Sequence, residues 1–146
     1  MDGSGEDELD LVVVGAHLSG MPLNGQLTTL GARLVARAET APEYRLFALS
    51  GTVPPKPGLL RVGPAEGRAV GVEVWRMDKF GFATFVSAIP APLGIGRVVL
   101  ADGRHVQGFL VESIAVADAT DITEFGGWRS YVAALNADSE VTAAPA

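Results

Sequence analysis

Histidine is the first residue type to consider for chemistry in this chain, because the sequence contains only two histidines and no cysteine. His17 comes directly after a strand-like run that ends in Gly15 and Ala16, and Ser19 and Gly20 follow it. Active sites often lie where a strand opens into irregular backbone, and imidazole gains or loses a proton near neutral pH. The pattern indicates an acid or base at His17; a histidine that only hydrogen-bonds its own loop fits the position equally well.

Lys56 is the second candidate, and it is one of only two lysines. It lies in the segment Pro54-Pro-Lys-Pro-Gly58, where the prolines restrict the backbone and lower the entropic cost of aiming the ammonium group. An ammonium is a compact point charge that suits a carboxylate. The segment therefore indicates an anion-binding lysine, with a solvated loop lysine as the equal alternative.

Other polar groups can complete an anion pocket around the glycine-rich loop. Arg45 can grip a carboxylate through two parallel hydrogen bonds. Its position next to Tyr44 at the start of a predicted strand fits an outward-facing residue equally well. Ser19, Asn24 and the backbone N–H groups of residues 15–20 add neutral donors that can turn toward an anion.

Two further titratable residues have competing interpretations. Glu73 alternates with Val72 and Val74 and so shares a strand face with Trp75. Solvent exposure is the commoner arrangement for such a carboxylate, whereas one facing a barrel interior beside the indole would have a raised pKa. His105 follows a tight Asp-Gly turn and is predicted to lie at the surface. Two separated histidines without an acidic cluster offer no ligand set, so no metal site is predicted.

Composition narrows the class of protein. A chain of 146 residues with 48% hydrophobic and 19% charged residues can bury the core of one domain. The net charge of −6 disfavours binding to nucleic acid or to an anionic membrane. No apolar run reaches the roughly 18 to 20 residues of a membrane helix, and the absence of cysteine suits the cytoplasm. The glycine-rich segments match no nucleotide-binding pattern, so no cofactor is expected.

Strand-like segments dominate the elements that must position these residues. Strands are predicted at 9–16, 33–40, 44–49, 59–62 and 69–77, with a hairpin of 97–100 and 105–116 around an Asp-Gly turn. Helices are predicted at 26–30 with Asn24 as cap, at 79–89 with Asp78 as cap, and at 128–135. The proline-rich segments 54–58 and 90–96 are predicted as stiff loops, and residues 1–8 and 136–146 as disordered tails of a domain spanning 9–135. This order indicates an α+β fold rather than a doubly wound one.

Several segments, in the same order along the chain, resemble the C-terminal domain of allophanate hydrolase. The longest are Val14-Gly-Ala-His-Leu-Ser-Gly-Met-Pro-Leu-Asn24, Pro54-Pro-Lys-Pro-Gly-Leu59, Ile89-Pro-Ala-Pro-Leu-Gly-Ile-Gly96 and Asp121-Ile-Thr-Glu-Phe-Gly-Gly-Trp128. Shorter matches lie at 40–46, 72–75 and 108–109. The resemblance runs from about Leu11 to Leu135 and so covers nearly the whole chain.

The resemblance implies a fold similar to the γ-glutamyl cyclotransferases, a small mixed β-barrel with a few flanking helices. The segment Val14–His17 takes the place of their Tyr-Gly-Ser turn. Their catalytic glutamate would be expected between Ser87 and Gly96, where this chain has no carboxylate. Cyclotransferase activity is therefore not expected; a weaker alternative would use Glu73 as the base.

The resemblance also implies a role in urea and allophanate degradation. In this family an amidase domain forms N-carboxycarbamate, and the C-terminal domain is thought to assist its decarboxylation. The implied partners are a small dicarboxylate-like substrate and an amidase domain or subunit, with a homodimer left open. The hypothesis assigns proton donation to His17 and carboxylate binding to Lys56 and Arg45. Loop N–H groups are expected to help hold the carboxylates, and Tyr44, Ser19 and Asn24 are expected to orient the substrate. The predicted substrate-binding set also includes Gly15, Ala16, Leu18 and Glu73. A non-catalytic module that binds a small anion or docks onto an amidase is the alternative.

Overall fold

The computed structural model describes residues 7–143, which form eight strands and three α-helices. The strands are β1 (Glu8–Val13), β2 (Arg33–Glu39), β3 (Tyr44–Ala48), β4 (Pro57–Arg61), β5 (Gly71–Asp78), β6 (Leu93–Val99), β7 (His105–Val111) and β8 (Thr120–Asp121). The helices are α1 (Gly25–Thr28), α2 (Lys79–Ser87) and α3 (Trp128–Ala143), with two 3₁₀ turns at Ser113–Val116 and Thr123–Phe125. The domain boundaries drawn from the sequence remain predictions.

The central strand of the larger sheet is β1, in the order β2-β5-β1-β7-β6. It runs antiparallel to β5, with Val12 opposite Val74, and parallel to β7, with Val12 opposite Gly108. The β-branched run Val12–Val14 is buried, as a strand covered on both faces requires. This burial places the end of β1 and the first residues of the following loop, 14–16, inside the molecule.

The two outer strands of this sheet curl toward each other until they meet. Thr40, just after β2, forms a β-bridge with Leu100, just after β6. The backbone N–H of Ala41 donates to the carbonyl of Val99 at 2.9 Å, which secures the junction. The mixed sheet therefore approaches a barrel at this end, and the predicted α+β class is confirmed.

A smaller sheet, in the order β4-β3-β8, packs against the larger one. Gly58 of β4 lies directly against the side chain of Val111 in β7, so that a Cβ at position 58 would collide with it. Tyr44 of β3 is fully buried, and its hydroxyl accepts a hydrogen bond of 2.9 Å from the backbone N–H of Val99 in β6. Tyr44 thus ties the two sheets together from within the core.

Helix α2 forms as its sequence predicts. The side chain of Asp78 accepts a hydrogen bond of 2.6 Å from the backbone N–H of Gly81, which confirms the predicted N-cap. Phe82 and Phe85 are buried. Gly81 lies close to Leu30, which follows α1, so α1 and α2 are neighbours.

Several predicted boundaries differ from the structure. The segment predicted as a loop over 90–96 contains the start of β6, because residues 93–96 pair with β7 and complete its hydrogen bonds. Pro57 and Gly58 belong to β4; proline is tolerated as the first residue of a strand, where its missing N–H matters least. Helix α3 continues to Ala143, well past the end predicted at Leu135, and residues 1–6 and 144–146 lie outside the described part. The side chain of Asn24 makes no cap bond to α1.

We expect Tyr44→Phe to lower the free energy of unfolding by about 1–3 kcal/mol, because it leaves the buried N–H of Val99 without an acceptor. The matched control is Tyr131→Phe, which removes a hydroxyl that has no hydrogen-bond partner among the described residues. Urea denaturation of both variants checks this. Equal losses in the two variants would contradict the role given to the Tyr44 hydroxyl.

Candidate functional site

The loop after β1 is held in one conformation by its own hydrogen bonds. The N–H of Leu18 donates to the carbonyl of Gly15 at 3.0 Å, and the side-chain amide of Asn24 donates to the carbonyl of His17 at 2.8 Å. The side chain of Asn24 therefore orients the loop of residues 14–24, called the histidine loop below, rather than capping α1. Gly15 lies against the ring of Pro57, so that any side chain at position 15 would collide with it. This close approach brings His17 next to Lys56, which immediately precedes β4.

The imidazole of His17 is clamped by three neighbours. It stacks on Phe109 with ring centroids 5.1 Å apart and planes inclined by 16°, and it meets the edge of Phe85 at 5.0 Å. Its Nε2 lies 2.8 Å from Oε1 of Gln26. With the glutamine oxygen as acceptor, neutral His17 carries its proton on Nε2 and leaves Nδ1 free.

Burial lowers the pKa of His17 below its ordinary value of 6.5, and the nearby ammonium of Lys56 lowers it further. The hydrogen bond to Gln26 acts in the opposite direction and only partly compensates. The imidazole of the free site is therefore neutral at pH 7. No carboxylate in residues 7–138 forms an ion pair with Lys56, so its charge is available to a ligand.

His17 and Lys56 face a common cavity of about 620 Å³. Most of its wall is apolar and comes from the ends of α1, α2 and β6, including Leu30, Phe85 and Leu93. A small recess next to the cavity is lined by Gly15 and Ala16 together with His17 and Lys56. The arrangement offers one cation, one titratable imidazole and an apolar chamber, which suits a small carboxylate.

Glu73 lies elsewhere and is not exposed: only 2% of its surface is accessible. Its oxygens accept from the N–H and the hydroxyl of Ser19 at 2.8 and 3.0 Å. They also accept from Nε1 of Trp75 at 3.1 Å and Nη2 of Arg129 at 2.9 Å, and Arg37 lies 3.5 Å away. The interpretation of Glu73 as a solvent-exposed carboxylate is therefore wrong. Its hydrogen-bond and ion-pair partners compensate the burial of its charge.

The pKa of Glu73 also differs from the expectation for an interior carboxylate. Burial alone would raise it, but hydrogen bonds from Ser19, Arg129 and Trp75 together lower the pKa below its usual value of 4.5. Glu73 and Leu18 line a separate cavity of about 230 Å³. The structure therefore places Leu18, Ser19 and Glu73 outside the cavity that His17 and Lys56 line.

Two more of the predicted site residues lie outside the His17 cavity. Nε of Arg45 donates to Asp121 at 2.7 Å, and its Nη1 donates to the carbonyl of Glu66 at 2.6 Å. The guanidinium of Arg45 thus binds Asp121 of β8 in the smaller sheet. Tyr44 is a core residue. His105 is exposed, as predicted.

Sequence reasoning missed the residues that fix the imidazole. Gln26 and Phe85 fall within the predicted helices 26–30 and 79–89, and Phe109 falls within a short match to the family. Arg129, which holds the carbonyl of Ser19 at 2.6 Å, comes from a position 110 residues further along the chain. No local signal marks such partners, because they meet only when the sheets close.

The described residues contain no group of three or more histidine, cysteine or acidic side chains that could hold a metal ion. No helix in the described part of the chain has both the length and the hydrophobicity needed to cross a membrane.

Comparison with known proteins agrees with the resemblance seen in the sequence. The family model of the allophanate hydrolase C-terminal domain matches residues 9–133. A urea amidolyase from Lachancea kluyveri is 42% identical over 134 residues, which is 90% of this chain and 7% of that protein. The chain therefore spans only a small part of the curated relatives it matches.

Solved structures show the same relationship. Kluyveromyces lactis allophanate hydrolase superposes with a TM-score of 0.85 at 37% identity, over 88% of this chain and 22% of that one. A γ-glutamyl cyclotransferase superposes with a TM-score of 0.54 at 11% identity, over 79% of this chain and 70% of that one. The latter likeness concerns the fold alone and confirms the predicted γ-glutamyl cyclotransferase-like architecture.

We expect Glu73→Gln to lower the free energy of unfolding by about 1–3 kcal/mol at pH 7, because it removes the charge that Arg129 and Ser19 stabilise. The pKa of Glu73 in the folded protein lies below 4.5, so its carboxylate contributes fully to the free energy of unfolding above pH 4.5. This contribution is lost as the pH falls through the lowered pKa of the folded protein. The difference between wild type and variant should therefore shrink on acidification. Denaturant titrations at several pH values measure it.

The control is Glu43→Gln, which removes a surface ion pair with the exposed Arg61 and should change stability by about 0–1 kcal/mol at pH 7. A Glu73→Gln deficit that grows toward acid pH would show that the buried carboxylate is not the source of this stability.

A second prediction concerns the imidazole. Lys56→Met removes the ammonium that disfavours protonation, so the pKa of His17 should rise while staying below 6.5, since burial remains. NMR titration of the imidazole protons measures this, with His105→Gln used to assign the two signals. An unchanged pKa would mean that the two side chains do not interact.

Proposed function

The chain belongs to the allophanate hydrolase C-terminal domain family, and from this premise we propose that it assists the loss of carbon dioxide from N-carboxycarbamate. The observation that carries the proposal is the shared cavity of His17 and Lys56, with its single cation and apolar wall. The relatives named above are a urea amidolyase and an allophanate hydrolase. An amidase domain that supplies the substrate is the partner implied by those names.

The lining of the cavity supports different roles for the two carboxylates of the substrate. Lys56 binds the carboxylate that stays, because binding the departing one would stabilise the ground state and slow the reaction. The departing carboxylate lies against the apolar wall formed by Phe85, Leu93 and Phe109. An apolar surface solvates the anion poorly and favours its conversion to neutral carbon dioxide.

The bond that breaks joins the departing carboxylate carbon to nitrogen, and its electron pair remains on the nitrogen. That nitrogen then takes a proton, which leaves carbamate as the product. In the free site His17 is neutral. Binding of a dianion beside it offsets the ammonium of Lys56 and raises the pKa of His17, so the imidazole takes up a proton with the substrate and can donate it to the nitrogen.

We expect His17→Gln to reduce the acceleration of carbon dioxide release by about 10²-fold or more, the range typical of a lost general acid. N-carboxycarbamate is generated from allophanate by an excess of amidase, and carbon dioxide release is followed by stopped flow with and without this protein. His105→Gln makes the same chemical change at an exposed position and should retain the wild-type rate. Equal rates for wild type and His17→Gln would exclude the acid role.

Calorimetry gives an independent measurement of the same step. Malonate, a stable dicarboxylate, should bind with net proton uptake, seen as a dependence of the binding enthalpy on the ionisation enthalpy of the buffer. The uptake should disappear in His17→Gln while Lys56 still binds the anion. Malonate binding without proton uptake in the wild type would contradict the proposed protonation of His17 on substrate binding.

A non-catalytic carboxylate-binding module is the second candidate, because the cation and apolar chamber suffice for binding alone. It predicts malonate binding with no change in the rate of carbon dioxide release. The cyclotransferase alternative with Glu73 as base finds no support. That carboxylate is held by Ser19, Trp75 and Arg129, and the described residues lining the His17 cavity include no carboxylate.

A further inference from the structure

The cavity is much larger than the proposed substrate requires. Its volume of about 620 Å³ lies in the roughly 300–1,000 Å³ range of sites that enclose drug-sized ligands. N-carboxycarbamate consists of two carboxylates on one nitrogen and has no further carbon. Such a molecule, held by Lys56 beside His17, would leave most of the chamber without a ligand atom.

The unfilled part of the chamber is mainly apolar, and Thr29 and Thr84 also line the cavity on this side. It extends from the charged end between α1 and α2, where Leu30 and Ile89 line it, and Ala88 at the end of α2 is exposed within it. Phe80 is 81% exposed and lies one helical turn before Thr84, which also lines the cavity. Phe80 therefore exposes an apolar side chain on the same face of α2 as Thr84.

Charge further restricts the ligand that fills the whole chamber. Lys56 is the one lysine or arginine among the described residues that line the cavity. A second carboxylate placed in the apolar part would lose its hydration without gaining a counter-charge. An apolar chain placed there would instead be transferred out of water at a gain for each methylene group.

We propose that this cavity binds monocarboxylates that carry an apolar chain, with the carboxylate on Lys56 and the chain along the apolar wall between α1 and α2. The proposal shares the Lys56 subsite with the proposed function but does not depend on decarboxylation. The ligand class is a small unbranched carboxylic acid of intermediate chain length. Such an acid would compete with a dicarboxylate for the same cation.

The test is calorimetric binding of acetate, butyrate and hexanoate to the wild-type chain. Affinity should rise by about two- to fourfold for each added methylene group, as expected for burial of apolar surface. Lys56→Met should weaken binding of butyrate and hexanoate alike, and hexylamine, which has the same chain with the opposite charge, should not bind. Affinity that is independent of chain length would overturn the proposal.

Ala88, just after α2, and Ala83, in the middle of that helix, provide a matched pair of variants. Ala88→Gln places a neutral polar side chain in the apolar part of the cavity and should weaken hexanoate binding at least threefold while leaving acetate and malonate unchanged. Ala83→Gln makes the same change at an exposed position of α2 that does not line the cavity, and hexanoate should bind it like wild type. Equal hexanoate affinity in the two variants would show that the chain does not occupy this wall.

The C-terminus of a peptide also combines a carboxylate with an apolar side chain, so the affinity for N-acetylleucine is compared with that for hexanoate. Tighter binding of hexanoate supports the assignment, whereas tighter binding of N-acetylleucine would overturn it in favour of a peptide C-terminus. The outcome is separable from that of the proposed function. If the protein does not accelerate carbon dioxide release, the predicted dependence of affinity on chain length still stands. If affinity does not depend on chain length, the predicted acceleration of carbon dioxide release still stands.

Discussion

The buried carboxylate of Glu73 is the interaction on which the arrangement of the molecule depends. It lies in β5 near the middle of the larger sheet, where it is 2% exposed. Because a buried charge is stable only when its oxygens are hydrogen-bonded, Glu73 requires Ser19 from the histidine loop and Arg129 from α3 to be in place. The loop that carries His17 is thus anchored through Ser19, a residue that does not line the cavity.

The other side of the loop is positioned by sterics and ring packing. Gly15 allows the backbone to lie against Pro57, and this contact carries Lys56 to the imidazole. Phe109 and Phe85 then fix the plane of the His17 ring and bury it enough to keep it neutral. The same apolar surroundings that lower the pKa of the imidazole also form the wall of the cavity. The lowered pKa of His17 and the proposed preference for an apolar ligand chain therefore have one physical origin, the low polarity of this chamber.

Much of the fold follows from local patterns. The valines of β1 require a buried strand, Asp78 caps α2 as predicted, and the Asp-Gly turn produces the hairpin of β6 and β7. The predicted boundaries differ from the structure where strand pairing outweighs local preference, as at residues 93–96, which pair with β7. The local context of His17 and Lys56 marked both as candidates, and the structure brings them to one cavity.

Local sequence patterns were thus enough for most of the secondary structure and for the family, and they marked His17 and Lys56, which line one cavity. Tertiary structure decided the placement of the remaining polar residues. Alternation along β5 showed that Glu73 shares a face with Trp75 but not whether that face points inward, which depends on Ser19, 54 residues away. Arg45 was likewise drawn to Asp121, 76 residues away. Such pairings form only when the sheets close, because a charge selects the partner that compensates its burial in three dimensions.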